Sequence, residues 1–278
     1  MLVEACPFDL GYEIAVTGSA ARGMADEFSD VEINVWGDRV PDERAWRDWL
    51  EGSDATDISF TFAGDADWTC FRWVVCRVDG IWVEAGFALI DEFDAFVGNL
   101  VAGQYTDHLR LQMGWMIEQA IPLQTEGRLA AWKGRVARYP DGLAERIVAE
   151  QTAAWSDPHV PGVRWGLAAR GERLGLALRL TWDMQNLLRT LFAVNRVWER
   201  DLKWTNERAL DFPIKPSDLS ARIDAVFDLT DPGRAVEADQ RLIVETLELA
   251  EGQGFEVSAA LRSVEDGLRM GLEAHVYD

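Results

Sequence analysis

Val16-Thr17-Gly18-Ser19-Ala20-Ala21-Arg22-Gly23, followed by Ser29-Asp30-Val31-Glu32-Ile33-Asn34-Val35, is the stretch that decides how this chain is read. The short apolar run 14–17 ends at the Gly-Ser pair, and residues 20–27 permit a helix, so the pair reads as a strand-to-helix turn. Glycine lets the backbone turn tightly there, and the N–H groups that open the following helix suit an anion.

Asp30 and Glu32 then flank Val31 at the start of a second apolar run, 31–36. In a strand, residues i and i+2 share a face about 7 Å apart, so both carboxylates point the same way. Their repulsion is relieved if a divalent cation lies between them. Acids bracketing a valine are also what the wet face of a half-buried strand carries. The strand, turn, helix, strand context makes the cation-binding reading the better one.

Gly18-Ser19, ten residues, then Asp30-x-Glu32 resembles the signature of the polymerase-beta-type nucleotidyltransferase superfamily. The longer string, with Arg22-Gly23 and with Ser29 directly before the acidic pair, is similar to its small bacterial branch, which includes aminoglycoside and lincosamide nucleotidyltransferases. The resemblance implies Mg²⁺ as cofactor, a nucleoside triphosphate as donor, with ATP the expected one, and a link to antibiotic resistance. It also implies a third carboxylate from a later strand. Asp79-Gly80 is a good hairpin turn, and the apolar run after it, 81–89, holds one acid, Glu84, the expected third ligand beside Asp30 and Glu32. Asp57 is its rival, at the start of another strand-like run, and a site completed by substrate phosphates and water is the remaining option.

Composition fits a soluble enzyme: 278 residues, 48% hydrophobic, long enough for one large domain or two smaller ones. There is no run of 18 or more apolar residues and no basic-then-apolar start, so the expected place is the cytoplasm and no membrane partner is expected. Cys6, Cys70 and Cys76 are odd in number and widely spaced, which indicates neither a disulfide framework nor a zinc site. His108, His159 and His275 stand in no metal-ligand spacing. The net charge of −21, from 48 acids against 27 basic residues, disfavours long nucleic acid, which needs a basic stripe, and favours a neutral or cationic small acceptor.

Strand-like segments cluster early, at 12–18, 31–36, 55–62, 70–78 and 81–89, with helices expected at 20–27 and 42–51. The second of these follows Pro41 and sets Trp46, Trp49 and Leu50 on one face. Beyond Phe93 helical spacing takes over, with 104–123 bridging the halves and loops at 139–142 and 156–162. The expected class is α+β: a mixed-sheet nucleotidyltransferase domain over 1–138, then an α-helical domain over 139–278.

In the second region, 165–200 reads as one long helix or two close ones, with Leu174, Leu178, Trp182, Gln185, Leu188, Phe192 and Asn195 stepping by threes and fours. Gln185 and Asn195 are then either satisfied core amides or cleft residues. Further helices are expected at 218–228, 233–251 and 257–275. The run 192–198 with Lys203-Trp204 resembles a helix-and-loop element of uncharacterised bacterial nucleotidyltransferase-like proteins. Of the 13 tryptophans, Trp46, Trp49, Trp73 and Trp182 take apolar-face positions and are expected in cores.

Together these readings give an acceptor hydroxyl attacking the α-phosphorus of the donor, with Asp30, Glu32 and Glu84 as catalytic metal ligands. Gly18, Ser19, Arg22 and Lys203 hold the phosphates, with Arg189 a further candidate. Glu118, an acid in the otherwise apolar segment 113–119, is the expected general base, with Asp183 second. The unit is expected to be a monomer or a homodimer. Two alternatives are nucleotidylation of a protein or tRNA in the manner of a toxin, and a non-catalytic nucleotide-binding regulator. The acidic surface weakens the tRNA version, and the intact Asp30 and Glu32 argue against the regulator.

Overall fold

The computed structural model describes residues 13–39, 42–61, 70–205 and 210–275, so Cys6 and Pro41 lie outside the described residues. The chain divides into two compact units, Met1–Tyr139 and Pro140–Asp278. The first carries β1 (Glu13–Thr17), α1 (Gly18–Ala21), β2 (Val31–Gly37), α2 (Glu43–Glu51), β3 (Thr56–Thr61), β4 (Cys70–Val78) and β5 (Ile81–Leu89). These are followed by α3 (Ile90–Val101), α4 (His108–Gln119), β6 (Ile121–Gln124) and α5 (Arg128–Val136). The class is α+β, a mixed sheet followed by a helical region.

Among the described residues the strands form one sheet in the order β3-β4-β5-β2-β1-β6. The β2–β5 pair is parallel, and all other neighbours are antiparallel. Period-2 alternation gives its strands two different faces. On one, Ile33, Val35, Val83, Ala85 and Phe87 pack with Trp46, Trp49 and Leu50 of α2. That helix starts where Asp42 accepts a hydrogen bond from the Ala45 amide at 2.7 Å, an N-cap worth about 1 kcal/mol.

The other face changes character along its length. At the end of β2, Trp36 lies 5.2 Å from the ring of Phe93 on α3 and 5.4 Å from that of Trp132 on α5. Opposite Trp36 in the β1 register stands Glu13, fully buried. Its carboxylate accepts from Thr125 Oγ1 at 2.6 Å and from the amides of Glu126 at 2.8 Å, Arg128 at 2.9 Å and Leu129 at 3.2 Å. It thereby caps α5 and ties that helix to the sheet. Moving back along β2 on the same face, the residues become polar: Asn34, then Glu32.

Two expectations need correction here. The helix expected over 20–27 is the single turn α1, because Gly23 takes φ of +61° and Asp26 and Ser29 close a separate turn. The bridge 104–123 hides a strand, β6, whose Ile121 and Leu123 are exposed and whose Pro122 suits a sheet edge.

The second unit is helical: α6 (Leu143–Thr152), a 3₁₀ turn at Ala153–Ser156, α7 (His159–Ala169), α8 (Arg173–Val194), α9 (Leu219–Val226), α10 (Pro232–Gly252) and α11 (Ser258–His275). The loop expected over 156–162 is in fact largely the first turn of α7, with Pro161 near its start, where its missing N–H costs nothing. The buried face of α8 runs through Leu176, Leu180, Met184, Leu187 and Leu191, whereas Leu174 is 76% and Leu178 63% exposed, and Gln185 faces solvent. Asn195 is a satisfied amide: it donates to the carbonyls of Leu191 and Ile214 and accepts from the Ile214 amide at 2.9 Å. Trp46 and Trp49 are core, while Trp73 and Trp182 are half-buried.

Inside this unit Arg164 holds Asp183 through two bonds of 2.7 and 2.6 Å, and the Trp155 indole adds a third at 2.7 Å. Nearby Asp239 is fully buried, and neither of its oxygens has a hydrogen-bond partner among the described residues. Burial, then the Asp183 carboxylate, push the Asp239 acid well above the ordinary carboxylate range, with Arg164 opposing. A raised folded-state value means that its stability contribution is fully present below the unfolded value and is lost as pH rises towards the folded one.

Two outcomes are expected. Glu13→Ala lowers the unfolding free energy in urea by on the order of 3 kcal/mol, because buried amides lose a charged acceptor, while Thr125→Val costs about 1 kcal/mol. Equal losses would contradict the cap. Asp239→Asn flattens the decline in melting temperature of the wild type from pH 4 upwards and is the more stable protein at pH 8. Parallel pH profiles would contradict a proton held at Asp239.

Candidate active site

The polar end of the sheet face is built by strand register. Glu32 and Glu84 are direct partners in the parallel β2–β5 pair, and Thr17 is the partner of Glu32 on β1. Neighbouring strands are about 4.8 Å apart, so two carboxylates share one small area of the face. Charges that close repel by a few kcal/mol at an effective dielectric of about 20 unless cations sit beside them. Both are half-buried, as is Asp30, which precedes β2 by one residue.

Gly18 lies against this pair. Its φ is +62°, and a methyl group added to it would fall 2.3 Å from the Glu32 carboxyl carbon. Two separate constraints therefore require glycine: a left-handed backbone and contact with a carboxylate. Ser19, 4% exposed, follows in the buried turn, whose carbonyl accepts from the Met24 amide at 2.9 Å.

Arg22 ends α1, and its guanidinium carbon lies 3.8 Å from the centre of the Trp115 ring on α4. Glu118 stands three positions further along α4, one turn on and on the same side as Trp115. The fold thus draws Gly18, Ser19, Arg22, Glu32 and Glu84 to one end of the sheet, with Glu118 on the helix that carries the arginine's aromatic partner. Asp57 stands on the outer strand β3, exposed, 3.8 Å from Arg77.

Three other candidates belong to the second unit and are engaged there. Lys203 lies 3.2 Å from the carboxylate of Asp201. Arg189 forks onto both oxygens of Glu199 at 2.9 Å and reaches Gln151 at 3.0 Å. Asp183, second choice as a base, is fully buried and held by Arg164 and Trp155, which makes it a structural residue. Cys76 is a buried core residue whose thiol is pushed up by burial.

The donor set at the sheet end is carboxylate oxygen, the hard chemistry that Mg²⁺ takes. Among the described residues no three His, Cys, Asp or Glu side chains are grouped closely enough to hold a metal ion. The register pair offers two carboxylates, and Mg²⁺ is commonly held by one or two, with waters and substrate phosphates completing its shell. The residues present fit the ion in that form, as a half-site finished by a polyphosphate.

Sequence reasoning passed over Gly86 and Trp73. They are register partners, and a methyl group on Gly86 would fall 2.5 Å from the Trp73 ring and 3.3 Å from Asn34 Oδ1. Asn34 in turn donates to Thr17 Oγ1 at 2.6 Å. An aromatic ring over a strand glycine thus borders the carboxylates, and the glycine inside an apolar strand was the available signal.

Gly18→Ala is expected to strain the turn and displace Glu32, lowering stability by about 1–3 kcal/mol and weakening any ligand of the carboxylates more than Ser19→Ala does. Thermal melts and ligand titrations of both variants check this; a Gly18→Ala protein as stable as the wild type would contradict the close approach.

No protein-family model and no curated protein matches the chain. Among solved structures it is similar to a nucleotidyltransferase-like protein from Exiguobacterium sibiricum 255-15, at 11% identity and a TM-score of 0.39, over 92% of this chain and 76% of that one. A likeness at this level assigns no chemistry, and the functional reading rests on the residues themselves.

Proposed function

We propose that the protein is a nucleotidyltransferase that moves a nucleoside monophosphate from a nucleoside triphosphate, ATP first among candidates, to a hydroxyl of a small cationic acceptor of the aminoglycoside kind, releasing pyrophosphate. The observation that carries this reading is the Glu32–Glu84 register pair beneath Gly18. Two like charges are set side by side on a half-buried strand pair, an arrangement that costs stability and is useful where cations must be held.

Glu32 and Glu84 would hold Mg²⁺, with waters and the donor's phosphates completing its shell and Asp30, one residue before β2, as the further acid of the motif. When bound, the ion would neutralise those phosphates and make the α-phosphorus a better electrophile. The chain's own groups do the rest. The backbone of the 18–22 turn, with Ser19 and Arg22, orients the β- and γ-phosphates so that pyrophosphate leaves in line with the incoming oxygen. Glu118 takes the proton of the acceptor hydroxyl as its oxygen attacks. A net charge of −21 attracts a cationic acceptor over a long range and repels a polyanionic one. Monomer and homodimer are both compatible with this chemistry. No helix among the described residues is long and apolar enough to cross a membrane.

Calorimetric titration of each of the four Mg·ribonucleoside triphosphates is the test. The wild type is expected to bind at least one of them in a Mg²⁺-dependent manner, and Asp30→Asn with Glu32→Gln is expected to weaken that binding at least tenfold while the melting temperature holds or rises. Binding that ignores both Mg²⁺ and the double substitution would overturn the assignment.

A further inference from the structure

Four neighbouring strands set out the site face in the order β4-β5-β2-β1. Glu32 on β2 faces Glu84 on β5, and one step further along the same face Asn34 faces Gly86, whose partner on β4 is Trp73. Residues i and i+2 of a strand are about 7 Å apart, so the row that holds Trp73 adjoins the carboxylate row. Trp73, expected in a core, is half-buried on this face, while its neighbour Val74 packs into the core on the other.

Gly86 is what lets the indole lie there. A methyl group on it would fall 2.5 Å from the Trp73 ring, so a side chain at this position of β5 would push the ring off the sheet. The same face already sets a cation on a tryptophan: the Arg77 guanidinium carbon lies 4.3 Å from the centre of the Trp82 ring, two residues before Glu84.

In-line displacement decides which substrate meets Trp73. The Gly18 turn follows β1, so a pyrophosphate held by that turn leaves on the β1 side of the carboxylates. The attacking oxygen then comes from the opposite side, towards β5 and β4, where Trp73 stands. An indole face attracts ammonium groups more strongly than any other aromatic side chain does, and the net charge of −21 favours the same kind of ligand.

We infer that Trp73, seated over Gly86, is an acceptor-binding residue: its indole face holds an ammonium group of a cationic acceptor and sets the acceptor hydroxyl on the side of the carboxylates away from the leaving pyrophosphate. The inference rests on the nucleotidyl-transfer reading of the site. It adds a place for the acceptor and a reason for the glycine inside β5.

The probes are neamine and streptomycin, both amino-sugar cations. Each is titrated calorimetrically into protein saturated with Mg²⁺ and α,β-methylene-ATP, whose α–β bridge cannot be cleaved. Wild type, Trp73→Phe, Trp73→Leu and Gly86→Ala are compared, with nucleotide affinity and melting temperature recorded for each. Wild type is expected to bind at least one probe, Trp73→Leu to bind it about fivefold or more weakly, and Trp73→Phe, which keeps a π face, to stay within about threefold. Nucleotide affinity holds within about twofold in both Trp73 variants, and Gly86→Ala, which displaces the ring without removing it, weakens the probe as Trp73→Leu does. If Trp73→Leu does not fold, Trp73→Met takes its place. Undiminished probe binding by Trp73→Leu would overturn the inference, as would a wild type that binds the nucleotide but neither amino sugar. A Trp73→Leu protein that loses nucleotide and keeps the probe would mark the ring as a platform for the nucleobase, and equal loss of both would mark a merely structural role; either result also overturns it. A wild type that binds no nucleotide in a Mg²⁺-dependent manner would instead remove the nucleotidyl-transfer reading, and this inference with it.

Discussion

The in-register pairing of β2 with β5 is the constraint on which the rest of the first unit depends. The strands are parallel, so residues facing each other on the site face are Glu32 with Glu84, Asn34 with Gly86 and Trp36 with Ala88. A slip of one residue would move every one of these to the face now covered by α2. The register is held by the opposite alternation, Ile33, Val35, Val83, Ala85 and Phe87 packed on Trp46 and Trp49, each large side chain contributing about 1.5–3 kcal/mol. Core packing on one side therefore fixes two carboxylates side by side on the other.

The site face is graded along its length, and the grading locates the chemistry. Trp36, Phe93 and Trp132 close one end in an aromatic cluster, and Glu13 fastens α5 there with four hydrogen bonds to its carboxylate. Two rows away the same face carries Glu32 and Glu84, with the Gly18 turn over them. Glu13 is a buried anion with a full set of hydrogen bonds, whereas Glu32 and Glu84 set two half-buried carboxylates side by side, and like charges at that spacing are relieved by a cation.

Much of this was legible in the chain. Strands β1 to β5 announced themselves through alternation and through Asp79-Gly80, and α2 through Pro41-Asp42 and its tryptophans, whereas β6 did not. Glu84 stood out as the acid inside an apolar run, but that it faces Glu32 is a matter of register, which the sequence does not state. The helix expected beyond Gly18 was lost to Gly23 and to the Asp26–Ser29 turn, where short-range hydrogen bonds outcompete the helical ladder. The apolar spacing of α8 exists on two sides, so periodicity could not choose between Leu174-Leu178 and Leu176-Leu180; neighbouring helices made the choice. Glu13 and Asp239 were unreadable for the same reason: what each acid meets lies far away in sequence, 112 residues or more for the partners of Glu13.

The central claim is that Glu32 and Glu84 share a divalent cation, and Mn²⁺ binding followed by electron paramagnetic resonance tests it most directly. The account predicts that wild type binds Mn²⁺ in the presence of pyrophosphate and that Glu84→Gln alone, with Glu32 intact, weakens that binding at least tenfold. Unchanged Mn²⁺ affinity in Glu84→Gln would show that the register pair is not the cation site and would contradict the account.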